Sequence, residues 1–290
     1  MPELPEVETV RRDLERFTVG ERVQSVQVLL ARTLAFPERV DDLEGWLLGR
    51  QFLGWQRRGK YLLGILDQGI RLGVHLRMTG QLLWLASGVD VSKHTRLIMR
   101  MESGWQLHFV DQRTFGQIWG IPVDQPTEAI IPAWAKLGPE PFSPEFSLDY
   151  WSQQLRRRQA SIKTVLLDQR LVAGVGNIYA DESLFLSRIH PQSLACQLSP
   201  SQADTLHHQL IHVLREAVEQ RGTTFRDYRD ARGINGNYQG QAWVYGRAGD
   251  PCRVCQHPIE RLKLAGRSAH FCPQCQPPPS RTTPTQPEDP

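Results

Sequence analysis

The chain has 290 residues, 40% of them hydrophobic, and a formal net charge of +3, which is enough length and apolar content for two or three compact units with real cores. No apolar run reaches membrane-spanning length, and Glu3, Glu6 and Glu8 occupy the place where a signal peptide would begin, so a membrane protein and a secreted one are both excluded from the expectation and a cytoplasmic location is expected. The basic residues are clustered, at Arg50, Arg57, Arg58 and Lys60, at Arg156, Arg157, Arg158 and Lys163, and at Arg221, Arg226, Arg229 and Arg232, a distribution that suits a polyanion or a solvated face.

The opening MPELPEVETV combines a Pro after the initiator with nearby acids. Removal of Met1 would leave Pro2 with a free secondary amine. An α-amine has a reference pKa about 2–3 units below that of Lys, so about a tenth is uncharged near neutrality and able to attack a carbon. Glu3 and Glu6 could protonate a departing oxygen. Alone they would raise the amine pKa, so such chemistry also needs a cation nearby. The competing reading is a plain helix start, since Val7, Val10, Leu14 and Phe17 recur at helical spacing behind Pro5.

Strand-like runs follow at Val23–Leu30, Tyr61–Leu66, Ile70–Thr79, Thr95–Met101 and Trp105–Val110. In the third, apolar and polar residues alternate strictly, the period of a strand with one buried face. Gly and Asp turns between the runs suggest an antiparallel sandwich or barrel. Lys60 is expected to start a strand and to be the cation that Pro2 needs. Met78, Arg113 and Phe115 fall at strand ends, where an apolar wedge and a cation could enter a DNA stack, or where Met78 and Phe115 simply belong to the core. His75 and His94 read as phosphate contacts or as structural histidines.

Pro122 to Pro144 is proline-rich and reads as a linker. Beyond it the pattern is helical. Ser199-Pro200-Ser201-Gln202 is a capping-box start, followed by the stripe Leu206, Leu210, Val213, Leu214 and Ala217. In LVAGVGNIYADESLF, residues 171–185, Gly174 and Gly176 permit a tight turn and Asn177 is a good N-cap, an arrangement that can present backbone N–H groups to a phosphate.

Cys252, Cys255, Cys272 and Cys275 form two CxxC pairs sixteen residues apart. In a cytosolic chain this spacing favours a four-cysteine zinc site on a β-hairpin, structural because no ligand position is left open. So short a segment needs the metal to fold. Arg261, Lys263 and Arg267 lie between the knuckles, suited to a DNA groove or, alternatively, to a protein-contacting ribbon. Cys196 is left over as an idle thiol, and the Pro-rich end is expected to be disordered.

Together PELPEVET, RRGKYL at 57–62, HLRMTG at 75–80, DQRTFG at 111–116, LLDQRLVAGVGNIYADE at 166–182, GTTFRDY at 222–228 and VYGRAGDPC through FCPQCQ at 244–276 resemble the bacterial formamidopyrimidine-DNA glycosylases over nearly all of residues 1 to 276. The resemblance implies an α+β multi-domain fold. Its parts would be an N-terminal helix plus antiparallel β-sandwich at 1–136, a helix-two-turns-helix domain at 137–240, a four-cysteine β-hairpin zinc finger at 241–277 and a disordered tail at 278–290.

It further implies a bifunctional DNA glycosylase/AP lyase of base-excision repair, working as a monomer near the chromosome on double-stranded DNA with oxidised bases, 8-oxoguanine and formamidopyrimidines. Pro2 would be the nucleophile, Glu3 the acid that opens the sugar ring, and Lys60 and Arg267 would assist β- and δ-elimination. Met78, Arg113 and Phe115 resemble the void-filling trio. Asn177, Lys163, Arg158, His94 and Arg113 match phosphate contacts, and Thr223 to Gly240 the loop that closes over an extruded base. One structural Zn2+ is implied, with no redox or nucleotide cofactor. Gln256 departs from the family, which usually has Gly there. Leu4 favours this branch over the endonuclease VIII branch, whose opening is usually PEGPE. A catalytically dead DNA-binding module and a zinc-ribbon interaction factor are the rivals from other classes.

Overall fold

The computed structural model describes residues 1–223, 231 and 238–279. The chain divides into two compact units with interleaved ranges: Met1–Phe146, Asp168–Gly176 and Ile211–Ala242 form the first, and Ser147–Leu167, Asn177–Leu210 and Trp243–Pro290 the second.

The first unit opens with helix α1 (Leu4–Thr18). Its spacing of apolar residues puts Val7, Val10 and Leu14 wholly inside. The strands follow as β1 (Val23–Val28), β2 (Leu34–Phe36), β3 (Phe52–Arg58), β4 (Tyr61–Leu66), β5 (Arg71–His75), β6 (Gly80–Leu85), β7 (Thr95–Met101), β8 (Gln106–Asp111) and β9 (Gln117–Ile121), with helix α2 (Val40–Leu47) between β2 and β3. Among the described residues they make a four-stranded sheet in the order β1-β7-β8-β6 and a five-stranded sheet in the order β2-β9-β5-β4-β3. Apolar residues of both sheets, of α1 and of α2 share one core that includes Leu43, Phe52, Leu72, Met99 and Phe109. The pairs are antiparallel except β2 with β9, which run parallel. Two side chains tie α1 to β3: Glu15 accepts the Trp55 N–H at 2.6 Å, and Thr18 accepts the Trp55 indole N–H at 2.8 Å.

Three local expectations change. The alternating run Ile70–Thr79 is not one strand. It stops at His75, because Arg77 turns the chain at φ 53° and the Gly80 N–H closes back on the Leu76 carbonyl at 2.9 Å. Lys60 does not start a strand; it sits with Gly59 in the turn between β3 and β4. The proline-rich stretch carries two single-turn helices, α3 (Thr127–Ile130) and α4 (Pro132–Ala135). Between them Ile131 is buried with Tyr61, Leu63 and Trp119, so apolar anchoring orders what composition marked as linker.

The second unit holds α5 (Leu148–Arg156), α6 (Ile162–Leu166), α7 (Asn177–Leu186) and the start of α8 (Pro200–Glu219), then the hairpin β10 (Glu260–Leu264) and β11 (Arg267–Phe271). The capping box at α8 forms as expected, with Gln202 N–H on the Ser199 hydroxyl at 3.2 Å and Ser199 N–H on the Gln202 side chain at 3.0 Å. Its stripe is fully buried from Leu206 to Ala217. Most of the expected capping loop, at 224–230 and 232–237, and the tail from 280 lie outside the described residues. Among the described residues no helix is long and apolar enough to cross a membrane.

Candidate functional site

Pro2 and Glu3 are buried at the head of α1. Glu3 and Glu6 cap each other reciprocally, and one Glu6 oxygen takes the Glu3 N–H at 2.7 Å. The other takes the Thr223 N–H at 2.8 Å. Glu6 is therefore committed to backbone, tying the head of α1 to the chain at 222–223, and the Glu3 carboxylate, which accepts the Glu6 N–H in the same box, adjoins Pro2.

The head of α1 lies against residues 173–176. Leu4 N–H donates to the Gly174 carbonyl at 3.0 Å. Gly174 has φ +90°, and a Cβ there would stand 2.6 Å from Leu4 Cβ. A Cβ on Gly176 would stand 2.3 Å from Glu3 Cδ. These glycines, read from sequence as a phosphate turn, are required by the close approach of Leu4 and Glu3. Gln169 holds the segment from behind: its side-chain Oε1 accepts the Gly174 N–H at 2.9 Å and its side-chain Nε2 donates to the Val175 carbonyl at 2.7 Å.

The turn carrying Lys60 packs on the same segment. A Cβ at Gly59, whose φ is +55°, would meet Ala173 Cβ at 3.4 Å and the Gly174 nitrogen at 3.5 Å. Lys60 is only 7% exposed. The structure thus brings Glu3 and Leu4, with Pro2 next to them in the chain, and the turn that carries Lys60 onto one short stretch, 173–176. Its cation reaches His75: burial, then Arg77, then Lys60 depress the His75 imidazole from 6.5 to about 3. Nδ1 of His75 accepts the Arg77 N–H at 3.0 Å. The ring is therefore neutral with its proton on Nε2, a donor for an anion at any physiological pH.

Met78, His94, Arg113 and Phe115 gather at one end of the four-stranded sheet. Their organiser is Asp111, fully buried. It accepts the Thr79 hydroxyl, the Gly116 N–H at 2.7 Å and the Arg113 N–H at 3.3 Å. Its own N–H donates to the His94 carbonyl at 2.9 Å. Arg113 stacks over the Phe115 ring at 4.9 Å. Phe115 is 53% exposed, which a core residue would not be. Sequence reasoning passed over Asp111 and Thr79, although both stood inside the motifs it used.

In the second unit, Arg158 is half-buried and bonded to Gln154. Asn177 is the first residue of α7; its amide donates weakly to the Ser268 hydroxyl at 3.4 Å, and its buried Oδ1 has no partner among the described residues. Lys163, expected at a phosphate, is paired inside the unit. It is 1% exposed, with its ammonium on Asp181 Oδ1 at 2.5 Å and on the Ser268 carbonyl. The other Asp181 oxygen takes the His270 N–H at 2.9 Å. The cation is inside because α6, α7 and β11 converge on it, which a sequence cluster of basic residues cannot reveal. Arg267, exposed, is the first residue of β11 and immediately precedes the Ser268 that Lys163 holds.

Glu182 is buried beside this cluster, and burial pushes its carboxyl up against the pull of three N–H donors, from Trp243, Val244 and Tyr245. It fixes the entry to the hairpin. The Sγ atoms of Cys252, Cys255, Cys272 and Cys275 all lie within 4.8 Å of one another. The pairs Cys252–Cys275 and Cys255–Cys272 stand at 3.9 and 3.4 Å, close to the about 3.8 Å that tetrahedral Zn–S bonds of about 2.3 Å give. Backbone N–H groups of Val254 and Cys275 point at the sulfurs of Cys252 and Cys272, as suits thiolates. The donor set fits zinc, with every position filled by protein.

Three family descriptions match the chain: the formamidopyrimidine-DNA glycosylase N-terminal domain at residues 1–118, the formamidopyrimidine-DNA glycosylase H2TH domain at 137–229, and the zinc finger found in FPG and IleRS at 249–278. The last agrees with the cysteine geometry, and the hairpin holds one structural zinc ion. A formamidopyrimidine-DNA glycosylase of Acaryochloris marina is 54% identical over 282 residues, 96% of this chain and 99% of that one. One of Synechocystis is 50% identical over 283 residues, again 96% and 99%. Among solved structures, Lactococcus lactis Fpg in complex with abasic-site DNA superposes at TM-score 0.88 with 38% identity, covering 95% of this chain and all of that one. MutM (FPG) of Thermus thermophilus gives 0.85 with 41% identity, 95% and 98% covered. With each part of the chain matched and the relatives covered from end to end, the chain belongs to the formamidopyrimidine-DNA glycosylase family.

Proposed function

We propose that the chain is a bifunctional DNA glycosylase/AP lyase that removes oxidised purines from duplex DNA in base-excision repair, acting as a monomer beside the chromosome in the cytoplasm. The observation that carries this reading is the burial of Pro2 and Glu3 against residues 173–176 together with the turn that bears Lys60. Loss of Met1, which is 40% exposed, leaves Pro2 a secondary amine. Its lone pair attacks the sugar C1′ and the damaged base departs with the C1′–N bond pair. Glu3 gives a proton to the ring oxygen, the C1′–O bond opens, and a positively charged imine joins protein and sugar. The iminium then accepts the electrons of C2′–H bond cleavage, and the 3′-phosphate leaves; Lys60, close by, moves that proton. Arg267 serves the second elimination. Neutral His75 and the group around Asp111 grip backbone and fill the void behind an extruded base.

The test is borohydride reduction on a duplex with 8-oxoguanine opposite cytosine. A covalent adduct that maps to Pro2, lost with Pro2→Gly, is expected. An adduct on another side chain, or full activity with Met1 retained, would overturn the assignment. A panel including oxidised pyrimidines reads out the substrate branch, and purines are expected to be trapped most.

A further inference from the structure

We infer that Glu140 is a positioning residue for Lys60, acting through the β3–β4 turn. The inference rests on the proposed lyase reaction. Glu140 lies in none of the elements that carry the proposed chemistry, yet one of its oxygens is spent on that turn and the other on the end of β3 that leads into it. Oε1 accepts the Gly59 N–H at 2.5 Å, and Oε2 accepts from the Arg57 guanidinium at 2.7 Å. Arg58 stands 3.7 Å from Oε1. Residues on either side of Glu140 are fixed in turn: Gly138 N–H donates to the Gln169 carbonyl at 2.8 Å and Ala173 N–H to the Pro139 carbonyl at 3.0 Å. One short piece of chain, 138–140, thus grips the Lys60 turn by a carboxylate and the segment that cradles Pro2 and Glu3 by backbone bonds.

Charge strengthens the grip. Arg57, 10% exposed, bridges Glu140 to Glu8. Burial works against the Glu8 charge, but Arg11, Arg57 and Arg12 outweigh it and hold that carboxyl below the usual range. The arrangement makes Arg57 a charged strut between α1 and residue 140. Gly59, the residue gripped, has a left-handed φ of +55°, so the turn is held in a conformation that the next residue, Lys60, depends on for its direction. Misplacing a reacting group by about 1 Å can cost on the order of a hundredfold in rate.

Strand cleavage at a preformed abasic site tests this with the full-length enzyme. Glu140→Gln is expected to lower kcat at least about tenfold with KM and duplex affinity unchanged, while Lys60→Ala lowers kcat further. In the Lys60→Ala background, Glu140→Gln should have no added effect, since a residue acting through Lys60 has nothing left to position. Multiplicative losses in the double variant, or a KM effect alone, would overturn the inference. Glu140→Asp keeps the charge but is one methylene shorter, and should not restore kcat. If Glu140→Gln fails to fold, Gly59→Ala disturbs the same turn with Glu140 intact and should reproduce the kcat-only loss; unchanged kcat there would count against it. Wild-type enzyme inactive on this duplex would instead mean that the lyase reading itself is wrong.

Discussion

Around Pro2 most of the holding contacts close on backbone or on clearance: Leu4 on Gly174, Gly176 under Glu3, the Gln169 and Glu6 side chains on main-chain groups, with one ionic strut, Glu8–Arg57–Glu140, beside them. Around Arg267 they are ionic and metallic: the Lys163–Asp181 pair, Glu182 on three amides, four thiolates on zinc. The difference follows from what each region has to build with. The first unit has two sheets and a continuous core, so its site can be set by close packing. The zinc hairpin has few apolar residues of its own, chiefly Val244, Cys252, Ile259, Phe271 and Cys272, and ion pairs and metal replace the missing core. Packing tolerates no extra methyl; a charge-built seat accepts shape changes but fails when one charge is removed.

The largest expected effect lies in the metal. Structural zinc contributes on the order of 10 kcal/mol to small domains, so Cys252→Ala should abolish zinc binding and unfold the hairpin. Amide exchange at 249–276 would rise to that of an open chain, and the bound-zinc ratio would fall from one to zero. A zinc-free variant with a protected hairpin would break the comparison, because it would show a core sufficient by itself.

Lys163→Met comes next. It leaves Asp181 buried without its cation, a loss expected to cost about 3–5 kcal/mol. Denaturant unfolding checks the size. The salt dependence of DNA binding checks the role: an ammonium already paired inside the unit contributes little to counterion release, so the slope should change by much less than the about one unit per phosphate contact. A full unit of change with unaltered stability would place Lys163 on the DNA after all.

A third measurement sharpens the first region. The folded chain holds His75 neutral, with its affinity for protons lowered from 6.5 to about 3. The unfolded chain therefore binds the proton that the folded one refuses, and stability falls as pH drops from about 6.5 towards 3. At pH 5 the penalty is about 2 kcal/mol. His75→Gln should remove it, so the stability difference between variant and wild type should shift by that amount between pH 7 and pH 5. Parallel pH curves would mean that the packed cationic surroundings of His75 relax on acidification.

What could be read from residues alone follows the same division. The α1 stripe, the strands β4 and β7, the capping box at Ser199 and the cysteine spacing are local patterns, and each appears where periodicity or spacing put it. Asp111, Glu140 and Gln169 were missed because each acts on residues far from it in sequence or bonds to backbone, which no motif displays. The burial of Lys163 was not legible for the converse reason: a basic cluster records charge, not whether a carboxylate eighteen positions on, Asp181, faces it across two helices. The break of the Ile70–Thr79 run at Arg77 shows the same limit, since alternation continues through a turn that only φ reveals.

The smallest expected effect concerns Gln256, which follows the first knuckle at a left-handed position. It has φ 63°, with its N–H on the Cys252 carbonyl at 3.0 Å and its side chain exposed. A side chain in the left-handed region costs about 1–2 kcal/mol, and glycine loses about 0.5–1 kcal/mol of that advantage through its freer unfolded chain. Gln256→Gly should therefore stabilise the folded hairpin by about 0.5–1 kcal/mol. Because hairpin folding and zinc binding are one equilibrium, a chelator competition should read this as about a two- to fivefold gain in zinc affinity. Equal or weaker affinity would mean that the metal site is insensitive to backbone strain one residue from its ligand, and that the charge-built seat forgives shape even more completely than the contrast with the packed site requires.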